Sequence, residues 1–482
     1  MMRTRISAFA CIALVGICLC LGFAAASAEP VADVAKDLTK RVGIVLSEGK
    51  KQALIDGKLS SYWTNKKAGA TLRIEFPEGE VPGGLSINWA KKTSGFVIAA
   101  YARDGEQIEE GVVEPGFTGL MGYYAVAPEV CAVQMRFAKK GNAISELRIY
   151  GAGELPQKVQ QWHPPVEKAD LLLVSAHQDD EFLYMGGAIP HYAVVEGRPV
   201  QVIYMANCGR ARYQEALNGL WVAGLRNYPE FLGYPDRYCT TLKDAKKYWN
   251  EAKVLKALVE RIRRYKPEVI LSHDLNGEYG HGAHKLTASV LRTAVKQAAD
   301  PTKFAESASQ YGAWQTKKLY LHLYKENRIR MDWKVASDAL GGKTPSQVAK
   351  LGYAQHKSQL NAFTYVDGGK YDNALFGLAF TAVGEDVVGG DMFENIGEPA
   401  AMQPEPVQMP APVVERTATP SPQMPVQSPP ENGGRGMVIL LAVSLFSLAV
   451  LGFFGARGHL RTKKKTRSCA TRREAFKRGG SR

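Results

Sequence analysis

Leu171-Leu172-Leu173-Val174-Ser175-Ala176-His177-Gln178-Asp179-Asp180-Glu181 sets an apolar run directly against a histidine and three carboxylates. A short unbroken apolar run is how a strand buried on both faces of a parallel sheet reads. Ligands bind such sheets in the crevice beyond the carboxyl ends of the strands, so His177, Asp179 and Asp180 are expected there. Further along, Val269-Ile270-Leu271-Ser272 repeats the apolar run, and Gly280-His281-Gly282-Ala283-His284 follows it. A metal site for hydrolysis needs three nitrogen or oxygen ligands and one open position for water. His177 and Asp180 can supply two ligands from one turn, and the downstream segment can supply the third from an adjacent strand end. Asp179 is then left beside the metal as a carboxylate for general-base work. Either motif alone says little, because acidic residues suit any helix start and a lone loop histidine is usually structural. Their pairing at the ends of two buried-type strands is what points to chemistry.

Working outward, strands are expected at Leu171–Ser175, Val200–Met205 and Val269–Ser272, and helices at Gln214–Leu225, Ala252–Tyr265 and Leu286–Ala298. Strands alternating with helices predict a mostly parallel sheet covered on both faces. Before this region the texture differs. Leu72, Ile74 and Phe76 alternate with polar residues, and Leu85–Trp89, Val133–Phe137 and Leu147–Tyr150 are similar short runs broken by clusters such as Pro82-Gly83-Gly84. An all-β sandwich is the economical reading.

Both ends of the 482-residue chain read as addressing and anchoring segments. Arg3 and Arg5, an apolar stretch and Ala26-Ser27-Ala28 form a secretory signal pattern. Residues 400–434 are rich in Pro, Gln, Ser, Glu and Thr and cannot bury enough apolar surface to fold, which makes them a stalk. Met437 to Ala456 holds no charged residue and is long enough to cross a bilayer. Basic residues follow it, which predicts a cytoplasmic tail and an extracytoplasmic body. Those tail residues and the two leader arginines carry most of the net charge of +14. The basicity is therefore a topology signal and speaks against nucleic acid as a partner. Outside the leader and tail only Cys131, Cys208 and Cys239 remain. That is no disulfide framework, and a Cys208 to Cys239 bridge and separate thiols both stay open. There is no Gly-x-Gly-x-x-Gly after the first strand and no phosphate loop, so nucleotide binding lacks support.

Two family resemblances follow from these residues. Ala176-His177-Gln178-Asp179-Asp180-Glu181 with Gly186-Gly187, and Ser272-His273-Asp274 through Gly277-Glu278-Tyr279-Gly280-His281 to His284, closely resemble the two signatures of the PIG-L/LmbE-type zinc-dependent N-deacetylases. Arg212, Glu215-Ala216, Leu232-Gly233-Tyr234-Pro235-Asp236 and His356-Lys357-Ser358-Gln359 fit the same order. The resemblance implies that His177, Asp180 and His284 bind Zn2+ or another divalent metal. It implies Asp179 as base, His281 as support for the oxyanion or proton donor to the leaving amine, and Tyr279 lining the site. Arg212 and Asp236 are candidates for holding sugar hydroxyls, with an Arg212–Glu215 ion pair and a turn position as equally good alternatives. Gln178 stands where the family often has proline, and Gly282-Ala283 where it often has Pro-Asp. Ala283 thus removes a carboxylate, and Asp274 is the guess for its replacement. Separately, Leu54-Ile55-Asp56-Gly57, Tyr62-Trp63 and the closing Ile144–Gly151 segment resemble discoidin-type, galactose-binding-like modules, which implies a jelly-roll.

The expected fold class is α/β: a Rossmann-like, mostly parallel sheet with helices on both faces, preceded by an all-β jelly-roll sandwich and followed by a Pro-rich stalk and one transmembrane helix. The expected boundaries are 1–28 signal peptide, 40–155 sandwich, 165–398 deacetylase domain, 399–435 linker, 437–456 membrane helix and 457–482 cytoplasmic tail. The expected function is a membrane-anchored, extracytoplasmic zinc hydrolase removing acetate from an N-acetylated amino sugar on a glycan or glycoconjugate. An amidase acting on another small amide, or an inactive surface glycan-binding protein, are the alternatives. The sequence says nothing of oligomeric state.

Overall fold

Alternation along the early strands builds a sandwich. In Ala70–Glu75 every second side chain is buried, so Leu72 and Ile74 face inward, and Phe76 joins them just beyond the strand. The computed structural model describes residues 33–397 apart from 92 and 114–119. Within it a five-stranded sheet (Gly43–Leu46, Ala70–Glu75, Ala132–Phe137, Phe96–Tyr101, Gln107–Val113) faces a four-stranded one (Trp63–Thr64, Ala143–Gly151, Pro82–Trp89, Met121–Ala125). All pairings in both sheets are antiparallel. Trp63, Trp89, Phe96 and Phe137 meet between the sheets, with Trp63–Phe137 and Trp89–Phe96 ring centroids both 5.5 Å apart.

The apolar run Leu171–Ser175 is the third strand of a seven-stranded sheet. In spatial order the strands are Glu230–Pro235, Val200–Asn207, Leu171–Ser175, Val269–Ser272, Lys318–His322, Leu375–Thr381 and Arg328–Arg330. The first five are parallel, and Leu375–Thr381 runs antiparallel to both of its neighbours, Lys318–His322 and Arg328–Arg330. Leu173 is in register with Val202 on one side and Leu271 on the other, so the two motif-bearing strands are neighbours. Alternate residues serve two cores. Leu171, Leu173 and Leu271 pack with Leu217 and Leu220 of helix Arg210–Val222. Leu172, Val174 and Ile270 pack with Leu258 and Ile262 of Glu251–Tyr265 and with Leu286 and Leu291 of Gly282–Ala299. Burial on both faces is why the strand sequence is apolar throughout.

Helix Gly282–Ala299 begins earlier than its periodicity suggested, which puts His284 on its first turn. Four strands of this sheet were not expected from the sequence: Glu230–Pro235, Lys318–His322, Arg328–Arg330 and Leu375–Thr381. The first is only half-buried, and the other three lie beside a long loop-rich stretch that hides their period. The sandwich docks on helix Arg210–Val222. Met121 is buried in the α/β core, Trp221 Nε1 donates to Gln157 O at 2.6 Å, Gln160 Nε2 donates to Asn218 Oδ1 at 2.7 Å, and Arg210 bonds to Leu59 O. The signal pattern, stalk, apolar run 437–456 and basic tail lie outside the described residues. Among the described residues no helix is long and apolar enough to cross a membrane.

Candidate metal centre

Strand Leu171–Ser175 ends at its serine, and the backbone then turns tightly enough for the His177 N–H to donate to Asp180 Oδ2 at 2.9 Å. Ser175 Oγ closes the turn by donating to His177 O at 2.7 Å. Asp179, at the crest, has φ of +127°, a region that non-glycine residues avoid at a cost of about 1–3 kcal/mol. Its surroundings hold it there. The Asp179 N–H donates to Glu181 Oε2 at 2.7 Å, and Arg212 Nη2 reaches Asp179 Oδ1 at 2.5 Å and also bonds to Gln178 O. Glu181 is in turn backed by His356 Nε2 at 3.0 Å. Gln178 points to the neighbouring strand, donating to Ala206 O at 2.9 Å, so it leaves the ligand atoms untouched.

Three atoms meet across the turn. His177 Nδ1 lies 2.9 Å from Asp180 Oδ2 and 3.1 Å from His284 Nε2, and Asp180 Oδ2 lies 3.1 Å from His284 Nε2. Ligand atoms around tetrahedral zinc, at bonds of about 2.0–2.2 Å, stand about 3.4 Å apart. The triangle therefore needs to open by only a few tenths of an ångström, and its His, His, Asp donor set fits a catalytic divalent metal with an open position.

Potential ligand atoms also cluster within 4.8 Å as His177, His281 and His284 and as Asp180, His273 and His284. His273 is spoken for: its Nε2 accepts the Ala176 N–H at 2.8 Å and its Nδ1 donates to Glu278 Oε2 at 3.0 Å. His281 caps the helix, its Nδ1 accepting the Ala283 N–H at 3.1 Å, which places the proton of the neutral ring on Nε2. Its ring centroid is 4.7 Å from that of His177, so this Nε2–H belongs to a ring beside the triangle. The Gly282 N–H donates to Cys239 O at 2.7 Å, which a proline there could not do.

The carboxylate missing at Ala283 is replaced by Glu278, a correction to the expectation of Asp274. Glu278 is fully buried, and its Oε2 accepts from His284 Nδ1 at 2.6 Å. Asp274 contributes only its backbone, whose N–H donates to Glu278 Oε1 at 3.1 Å. Burial opposes ionisation of Glu278, yet His273 and the bonds from His273, His284 and His322 hold its carboxyl well below the usual range. Burial likewise works against the charged Asp180, and His284 and His177 override it to hold that carboxyl well below its ordinary value. For His284, burial would lower the pKa, but Asp180 and Glu278 on either side push it up to about 9.

Tyr279, with φ of +46°, has its ring centroid 5.3 Å from that of His284 and 5.6 Å from that of His281. Asp236 Oδ1 stands 3.8 Å from His177 Nε2, beside a ligand histidine. Arg212 grips Asp179 and not Glu215, whose carboxylate instead takes the Ser358 N–H at 2.8 Å and hydroxyl at 2.6 Å. Cys239 is a free thiol, so it forms no bridge to Cys208. Glu278, His273, Glu181 and His356 lay inside the quoted motifs without a role. His322 had no sequence signal, because its strand was not read.

Parallel strands delivering a carboxylate and a His, His, Asp triangle to one crevice define a metal-dependent hydrolase. Residues 172–295 match the family model PIG-L, described as GlcNAc-PI de-N-acetylase. A 1D-myo-inositol 2-acetamido-2-deoxy-alpha-D-glucopyranoside deacetylase of Geodermatophilus obscurus is 29% identical over 204 residues, 36% of this chain and 68% of the relative. Across the deacetylase relatives of this name the matched stretches span 55% to 70% of the relative's length. The solved N,N'-diacetylchitobiose deacetylase from Pyrococcus horikoshii is similar at 17% identity and a TM-score of 0.32, over 40% of this chain and 72% of that one. The sandwich is similar to the family 32 CBM from C. perfringens NanJ, at 14% identity and a TM-score of 0.21, over 24% of this chain and 98% of that one.

Proposed function

We propose that this chain is a zinc-dependent N-deacetylase that releases acetate from an N-acetylated amino sugar carried on a glycan outside the cytoplasm. The carrying observation is the triangle of His177 Nδ1, Asp180 Oδ2 and His284 Nε2 with Asp179 fixed beside it by Arg212. Zinc, when bound, supplies a Lewis acid that activates water at neutral pH and polarises the acetyl carbonyl. The protein's residues do the rest. Asp179 takes a proton from the attacking water, in an orientation set by Arg212 and by the Glu181 bond to its backbone. As the C–N bond breaks, Asp179 passes that proton to the leaving amine while the His281 Nε2–H donates a hydrogen bond to the oxyanion, and the products are acetate and the free amino sugar. Tyr279 bounds the space in which the acetamide sits, and Asp236 steadies His177.

The relatives named as acting on an acetamido-glucopyranoside support the sugar class. A sandwich docked on the helix that carries Arg212, through Leu59 and Met121, supports a glycan-bound substrate presented to the crevice. The signal pattern, the apolar run Met437 to Ala456 and the basic tail support an extracytoplasmic enzyme on one membrane anchor.

The test is acetate release by the zinc-loaded full chain from a panel of N-acetylated glycans. Asp179→Asn should lower the rate by about 10²–10⁴-fold while zinc stays bound. No acetate from any N-acetyl sugar would sink the proposal.

A further inference from the structure

One buried carboxylate gathers four donors. Glu278 Oε2 receives Nδ1–H of His273 at 3.0 Å and of His284 at 2.6 Å, while Oε1 receives Nδ1–H of His322 at 2.7 Å and the Asp274 N–H at 3.1 Å. A carboxylate offers about four lone-pair sites, so Glu278 is saturated. The three imidazoles and Glu278 itself are fully buried, and no water competes for these bonds.

We propose that Glu278 is the positioning residue of the metal centre: by accepting three Nδ1 protons it fixes His284 with Nε2 toward the metal, in place of the carboxylate absent at Ala283. The geometry specifies the tautomer. Because a carboxylate can only accept, the bridging proton sits on Nδ1 of His284, and its Nε2 is the nitrogen left to join His177 Nδ1 and Asp180 Oδ2. The same acceptor sets His273, whose Nε2 must then accept the Ala176 N–H at the root of the first motif. One side chain thereby aligns both halves of the site, which come from different strands. His322 anchors the hub from the far side. Its Nε2 faces the carbonyl oxygen of Asp372 at 3.0 Å. Backing of a ligand histidine by a carboxylate typically contributes 10- to 100-fold in metal affinity.

This inference rests on the metal reading of the site and is independent of which sugar is the substrate. Its test reads metal, not turnover. Zinc affinity of the full chain is measured by chelator competition for wild type, Glu278→Gln and Glu278→Asp, with circular dichroism confirming the fold. Glutamine presents one acceptor and an NH2 that can only donate, so two of the four donors would face a donor. Glu278→Gln should bind zinc about 10- to 100-fold more weakly, and Glu278→Asp, which keeps the acceptor pair, should recover part of that loss. The Co2+-loaded proteins should show the same order in their visible bands. Equal zinc affinity in a folded Glu278→Gln protein overturns the proposal. Should neither variant fold, ¹⁵N-histidine NMR of the zinc-loaded wild type decides: protonated Nδ1 on His284 and His273 supports the assignment, and a proton on Nε2 of His284 overturns it.

Discussion

His284 carries two jobs that pull on its proton in opposite directions. Without metal it lies between Asp180 and Glu278, and although burial would lower its pKa those two carboxylates raise it to about 9. A metal ligand must present a bare Nε2, so below that pH binding has to expel a proton. Asp180, held well below its ordinary range, stays ionised and adds no second proton. Zinc affinity should therefore fall about tenfold per pH unit as the pH drops below about 9, with close to one proton released from His284 per zinc near neutrality. Competition titrations in buffers of different ionisation enthalpy measure both; affinity flat across this range would contradict it. For metal-free protein the sign is the reverse. A folded pKa raised above the unfolded one stabilises the fold below the unfolded value of 6.5, and that stabilisation fades as the pH rises through about 9.

At the scale of elements, the start of helix Gly282–Ala299 is the joint on which His281 and His284 turn. A Cβ on Gly282 would lie 2.5 Å from Cys239 Sγ and 2.8 Å from Thr241 O, closer than side chains approach one another. The loop between strand Glu230–Pro235 and helix Leu242–Tyr248 thus packs directly on the helix start and carries Asp236 beside His177. Gly282→Ala should push this loop outward, lowering stability by about 1–3 kcal/mol through overpacking and weakening zinc binding along with it. Chemical denaturation with parallel zinc titration checks it, and an unchanged midpoint would show that the loop yields freely. The strand–turn–ligand unit at His177 was legible because one continuous apolar run ends in the motif. Glu278's role was not, because two of its partners, His284 and His322, come from a helix start and a strand that periodicity did not mark.

Across the whole molecule, the sandwich and the α/β unit share a buried seam: Met121 enters the α/β core and Trp162 packs edge-on against Trp221 at 5.4 Å. Helix Arg210–Val222 offers that seam on one side and Arg212 to Asp179 on the other. The proposed anchor gives this assembly an address. A chain ending before residue 437 should leave the membrane fraction and stay zinc-binding, while the full chain remains with the membrane; equal partition of both on fractionation would remove the anchor.

By itself the sequence determined the two layers of architecture and the strand that leads into the site, and it named His177, Asp179, Asp180, His281 and His284 as candidates, because each is written in local period or in a motif contiguous along the chain. Tertiary structure decided the rest. That Arg212 grips Asp179 and not Glu215, that Asp236 comes near His177, and that Glu278 and not Asp274 answers for Ala283 all depend on distances between segments far apart in sequence. Hydrogen bonds and buried charges are settled by which side chains share a water-free space, and only the packed sheet makes that space.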